Sequence, residues 1–115
     1  CGHYGCGGIK AAMDARHFGL IDHWLQHIVD VKTKYVQELQ KLKTIEEKLH
    51  LMCELNVHEQ VNNICRTSVV QRAWNKGQPL AVHGLVYELS DGLLRVLQSP
   101  IRGINQIPSV YRMAF

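Results

Sequence analysis

The feature that most limits what this chain can become stands at its start, where residues 1–8 read CGHYGCGG. Gly2, Gly5, Gly7 and Gly8 let the backbone turn tightly and leave room for a small ligand. Among them, His3 and Cys6 form an H-x-x-C pair. Zinc takes imidazole nitrogen at ~2.0–2.1 Å and thiolate sulfur at ~2.3 Å, so two such donors three positions apart can share one ion. The same residues also suit a packing or redox role, and a catalytic zinc usually has three protein ligands. Cys1 is a candidate third, because Cys1 and His3 alternate like same-face residues of a strand. A loop of this kind normally follows a strand. With Cys1 at its head, the chain is expected to be a fragment of a longer protein.

The placement of the cysteines bears on the compartment. Cys53 and Cys65 fall in an apolar-periodic stretch, where buried thiols are common. Cys1 and Cys6 flank a histidine among glycines, which reads as metal or catalytic chemistry in a reducing compartment. A cytoplasmic protein is therefore expected, or one of a mitochondrial or plastid matrix. A redox pair of Cys1 and Cys6 lacks the C-x-x-C spacing of thioredoxin-like sites. The net charge of +3 is small and not gathered into a basic run, which argues against a nucleic-acid partner. No apolar stretch approaches the ~18 to 20 residues of a membrane span.

Periodicity orders the rest. Residues 9–15 are alanine-rich and predict a helix that Gly19 breaks. Leu20, Trp24 and Ile28, then Val31, Tyr35, Leu39 and Leu42, mark an apolar face at helical spacing. Thr44 followed by Glu47 is a capping-box signature and predicts a long helix. Its apolar stripe takes in Ile45, Leu49, Met52, Val57, Val61 and Ile64, with a break expected near Leu55 or Thr67. Gly77 and Pro79 close it. Residues 80–89 turn β-rich, Ser90, Asp91 and Gly92 supply a turn, and residues 93–97 resume the apolar run, predicting a hairpin. Residues 110–115 are expected to form a terminal helical turn. Trp24 and Trp74 both fall on apolar faces and are expected in the core. His23 and His27 have a spacing that suits zinc, but no Glu follows His23, and the pair reads as the polar side of an amphipathic helix. His50, His58 and His83 are scattered and read as surface or hydrogen-bonded histidines.

Four segments, in order and register, resemble the β-class carbonic anhydrases. CGHYGCGGIKAA is similar to that family's second metal motif, and GLIDHWLQHIVDV, ELNVHEQVNNI and AWNKGQPLAVHGLVYELSDGLL follow at matching spacing. The resemblance implies an α/β fold, a mostly parallel sheet flanked by helices and completed by a C-terminal β-hairpin. Residues 1–115 are then one partial carbonic anhydrase domain, from the second zinc motif onward. It also implies reversible hydration of carbon dioxide to bicarbonate and a proton by hydroxide held on Zn2+. His3 and Cys6 become two of three protein ligands to the metal. The third, a cysteine in a C-x-D-S-R motif with a neighbouring Asp–Arg pair, occurs nowhere in the chain, and Cys1 matches no ligand position. Gly7 matches the position whose backbone N–H contacts bicarbonate. Arg66 and Tyr87 match the Arg and Tyr of a second, non-catalytic bicarbonate pocket, while Leu85 stands where many relatives carry tryptophan. Homo-oligomers, dimers or tetramers, are implied as well. Two ligands cannot make a three-ligand site, so the chain alone is expected to be inactive. The alternative is a non-catalytic zinc-binding or interaction protein on the same fold.

Overall fold

A computed structural model describes residues 1–115. The elements run β1 (Gly2–His3), α1 (Gly7–Asp14), α2 (Ile21–Lys34), α3 (Val36–Gln40), α4 (Ile45–Cys65), α5 (Ser68–Asn75), β2 (Leu85–Glu88) and β3 (Leu93–Val96). Two short 3-10 turns, Ile104–Gln106 and Ser109–Tyr111, finish the chain, where one terminal helical turn was expected.

The fold is α/β, as the resemblance implied, with a sheet ordered β1-β2-β3. β1 pairs with β2 in parallel, Gly2 opposite Val86 and His3 opposite Tyr87, and β2 pairs with β3 antiparallel. The sheet is therefore mixed, one parallel pair and one antiparallel, with β2 in the centre and β3 at the edge. The hairpin is shorter than residues 80–97. Val82 leaves it to pair with Ile101, and the strands begin only after Gly84. At its turn the Asp91 carboxylate accepts the Leu93 N–H at 2.9 Å, and Gly92 N–H donates to the Glu88 carbonyl at 2.9 Å. Residues 1–8, read as loop, contain a strand because β2 offers a partner from the far end of the chain.

Local chemistry sets the helix boundaries. The Glu47 N–H donates to Thr44 Oγ1 at 3.1 Å while Thr44 N–H donates to Glu47 Oε2 at 2.9 Å, which is the reciprocal cap the spacing predicts. From it α4 runs 21 residues without a break at Leu55, about 30 Å at the usual rise per residue. The break falls at Thr67, whose hydroxyl donates to the Ile64 carbonyl at 2.7 Å and accepts the Val70 N–H at 3.4 Å, ending one helix and opening the next. α2 begins where the Asp22 carboxylate accepts the Phe18 N–H at 2.9 Å, a bond that holds this carboxyl below its ordinary range.

α4 carries the core. Its Met52 and Cys53 pack with Tyr4, Ile9, Val31, Leu39 and Val86, and its Val57, Val61 and Cys65 pack with Trp74 and Ile107. Cys53, Cys65 and Trp74 are buried as expected. Trp24 is not. It is 71% exposed, because α2 packs through Leu25, Ile28 and Val31, with Leu25 taking the inward place expected of Trp24. Leu20 falls at the N-cap and is exposed, and Ile45 and Ile64 lie on the outer side of α4. Gly2 is required by close approach, since a Cβ there would sit 2.5 Å from Val57 Cγ2.

Candidate metal centre

β1 and α1 meet at the H-x-x-C pair. His3 ends the strand, exposed, and Cys6 is the N-cap of α1, with extended backbone at φ −65° and ψ 121°. Between them Gly5 has φ +69°, a left-handed conformation that glycine adopts without steric cost, and this reverses the chain from strand to helix. The loop is pinned on the strand side by the Tyr4 N–H, which donates to the Tyr87 carbonyl at 3.0 Å.

Both candidate ligands are chemically free. His3 Nδ1 lies 2.9 Å from the Tyr4 carbonyl oxygen, so Nδ1 carries the hydrogen and donates it. In the neutral ring Nε2 then keeps its lone pair, the form in which imidazole binds a metal. Cys6 packs against the core cluster but makes no side-chain capping bond, so its sulfur is not held by a hydrogen bond. A nitrogen and a sulfur donor on a turn of this type fit zinc. No group of three or more His, Cys, Asp or Glu side chains that could hold a metal forms anywhere in the chain. Cys1 is exposed, and its thiol lies 3.5 Å from the Gly2 carbonyl oxygen.

Gly7 is the first residue of α1, and the first helical bond runs from Lys10 N–H to the Cys6 carbonyl at 3.0 Å. The N–H groups of Gly7, Gly8 and Ile9 thus have no acceptor inside the helix, and they sit at its positive end, where anions are favoured. Beside the loop is a cleft of about 290 Å³ lined by Tyr4, Cys6, Lys10, His50 and Cys53 among others. Cys53 is buried there, and burial pushes its thiol above its ordinary range. A larger cleft of about 630 Å³ lies between α2 and α4, around an ion pair of Lys34 with Glu59 at 2.6 Å.

The other sequence candidates are scattered. His23 and His27 lie exposed on α2, and the His27 ring meets Trp24 edge-on at 5.9 Å. Arg66 caps the end of α4, 3.7 Å from Glu59 Oε1, with its guanidinium stacked 3.7 Å over the Tyr111 ring. Tyr87 stands on β2 with its hydroxyl beside Gly92. No hydrogen bond, ion pair or ring contact joins Arg66 to Tyr87. His58 bonds to Gln98, and His83 is exposed.

Three residues around the loop escaped the sequence reading. The Tyr4 ring is buried, its hydroxyl donates to Glu54 Oε1, and it stacks on His50 with ring centroids 3.6 Å apart and planes at 17°. Burial chiefly, and then the Glu54 carboxylate, push the Tyr4 hydroxyl up to about 12. Only the i, i+4 spacing of His50 and Glu54 was visible beforehand, and nothing pointed it at Tyr4.

The chain is similar to known proteins over most of its length. A family model described as carbonic anhydrase matches residues 1–94. The carbonic anhydrase of Emericella nidulans is 36% identical over 114 residues, covering 98% of this chain and 50% of that protein. The carbonic anhydrase of Saccharomyces cerevisiae is 37% identical over 106 residues, covering 86% of this chain and 48% of that protein. Among solved structures, the Coccomyxa β-carbonic anhydrase in complex with acetazolamide matches with a TM-score of 0.85 at 40% identity, over 91% of this chain and 48% of that one. One of two tetrameric β-carbonic anhydrases from Sordaria macrospora matches with a TM-score of 0.78 at 27% identity, over 88% and 51% of the two chains. The chain spans about half the length of the curated relatives it matches. With most of its residues inside one family model and its fold shared with these structures, the chain belongs to the β-class carbonic anhydrases.

Proposed function

We propose that residues 1–115 are the second-zinc-motif part of a carbonic anhydrase that interconverts carbon dioxide and bicarbonate. The observation that carries this reading is the free donor pair, His3 Nε2 and Cys6 Sγ, on a turn fixed between β1 and α1. These two side chains would hold Zn2+, with a third ligand from outside these residues. When bound, the metal supplies Lewis acidity that makes a hydroxide nucleophile available near neutral pH. The chain's own groups orient and bind. The Tyr4 carbonyl keeps the His3 ring in its metal-binding tautomer, and the Gly7 N–H, unpaired within α1, offers a hydrogen bond to the anionic product.

A homo-oligomer is part of the same reading, supported by the tetrameric Sordaria relatives and by exposed Leu20 and Trp24 on α2. A reducing compartment, cytoplasm or organelle matrix, suits four free thiols. No helix is long and apolar enough to cross a membrane. Arg66 and Tyr87 each have partners of their own, Glu59 and Tyr111 for the first and the Gly92 turn for the second.

The alternative is a non-catalytic zinc-binding protein on the same fold. Stopped-flow carbon dioxide hydration decides between them. The purified chain with added zinc should be inactive or nearly so, while a longer protein carrying it together with a C-x-D-S-R motif should turn over. In that longer protein His3→Ala and Cys6→Ala should each abolish activity; retention of activity in both would overturn the assignment.

A further inference from the structure

Tyr4 stands between the two proposed ligands, and three contacts fix it. Its carbonyl receives the His3 Nδ1–H at 2.9 Å, its N–H donates to Tyr87, and its side chain is buried. The next residue, Gly5, turns the chain at φ +69° and has no side chain to hold the shared peptide, so the direction of the Tyr4 carbonyl depends on what holds the Tyr4 side chain. Two residues from one turn of α4 do that. The Glu54 carboxylate accepts the hydroxyl proton and the His50 ring covers the phenol face, with His50 Nε2 3.9 Å from Glu54 Oε1. This stretch of α4 is itself fixed by buried Met52 and Cys53. A phenylalanine would fill the same space. A hydroxyl paired with a carboxylate adds direction, which packing alone does not need.

We infer that Glu54 and His50, acting through Tyr4, are positioning residues that set the tautomer and aim of His3 at the metal, an inference that rests on the zinc reading above. The carboxylate would act on the metal through three links: Glu54 holds the phenol, the phenol fixes its peptide, and the peptide oxygen holds Nδ1–H. Loss of such outer partners lowers metal affinity about 10- to 100-fold in known sites.

The test uses the purified 115-residue chain and two measurements. The first is the pair of His3 ring nitrogen chemical shifts without metal, which report the tautomer. The second is titration with Co2+, followed by thiolate-to-cobalt absorption. Tyr4→Phe and Glu54→Leu, each of which removes the hydroxyl–carboxylate bond, should each mix the His3 tautomers and weaken cobalt binding about tenfold or more. His50→Phe, which keeps an aromatic face on Tyr4, should preserve both readouts, and His50→Ala should not. Wild-type ring shifts and cobalt affinity in Tyr4→Phe and Glu54→Leu, with the amide fingerprint intact, would overturn the inference. Should Tyr4→Phe fail to fold, Glu54→Leu decides alone, since Glu54 is only partly buried. The zinc reading fails separately, if cobalt binding survives His3→Ala and Cys6→Ala. The ring shifts of the metal-free chain still decide the role of Glu54 and His50 in that event.

Discussion

Each half of α4 faces an irregular segment tied down by a polar side chain, and the two ties differ in what they leave free. Toward the C-terminal end, fully buried Gln71 donates to the carbonyls of Cys65 at 3.2 Å and Tyr111 at 2.9 Å and accepts the Met113 N–H at 2.8 Å. Arg66 and Arg72 then cover the rings of Tyr111 and Phe115. The amide is fully occupied, and the tail is closed as structure. Toward the N-terminal end Tyr4 is tied just as firmly to Glu54, yet His3 Nε2 and Cys6 Sγ have no partner. No buried side-chain polar atom in the chain lacks a hydrogen bond. Unsatisfied donor capacity has therefore been kept at the loop surface, where a metal can use it, and removed from the tail.

If the two regions are separable, substitutions should split stability from metal binding. Trp74→Ala empties the C-terminal cluster and should cost about 3–5 kcal/mol in urea denaturation, with the cobalt affinity of the folded fraction unchanged. A parallel loss of affinity would merge the regions into one unit. Gly2→Ala should cost less, about 1–3 kcal/mol, because its Cβ would meet Val57 Cγ2 at 2.5 Å. It should also weaken metal binding, since Gly2 precedes His3 on the same strand. The smallest effect is one of pH. The Tyr4 hydroxyl, with an ordinary value of 10.0, is pushed up to about 12 in the fold, first by burial and then by Glu54. The folded chain therefore holds this proton more tightly than the unfolded chain does. The stability it contributes is fully present below about pH 10 and is lost as pH climbs through about 12. Tyr4→Phe should flatten that loss in a denaturation series across alkaline pH.

What sequence reading reached was local chemistry. Thr44 and Glu47 cap each other within one turn, Asp91 and Gly92 make a turn, and His3 and Cys6 sit three positions apart, so each declares itself in a short window. What it missed depends on distant partners. Gly2 and His3 become a strand only because Val86 and Tyr87 pair with them. Trp24 is exposed because the packing of α1 and α4 selects Leu25 instead, and periodicity cannot choose between adjacent apolar residues that lie three and four positions before Ile28. The Tyr4–Glu54 contact joins residues 50 positions apart in sequence, and with the His50 stacking it leaves no local trace. The resemblance supplied the zinc chemistry, and the free Nε2 and Sγ in the fold are what make it physically reasonable.

The parallel pairing of β1 with β2 has a consequence for how the chain comes off the ribosome. The strand that carries His3 is made before its partner, with α1 to α5 between them. Closing so long a loop costs chain entropy that few contacts repay early, so this pairing should be among the last events of folding. Until then the H-x-x-C turn is a nascent segment without its scaffold, and the spacing of His3 and Cys6 is not yet held.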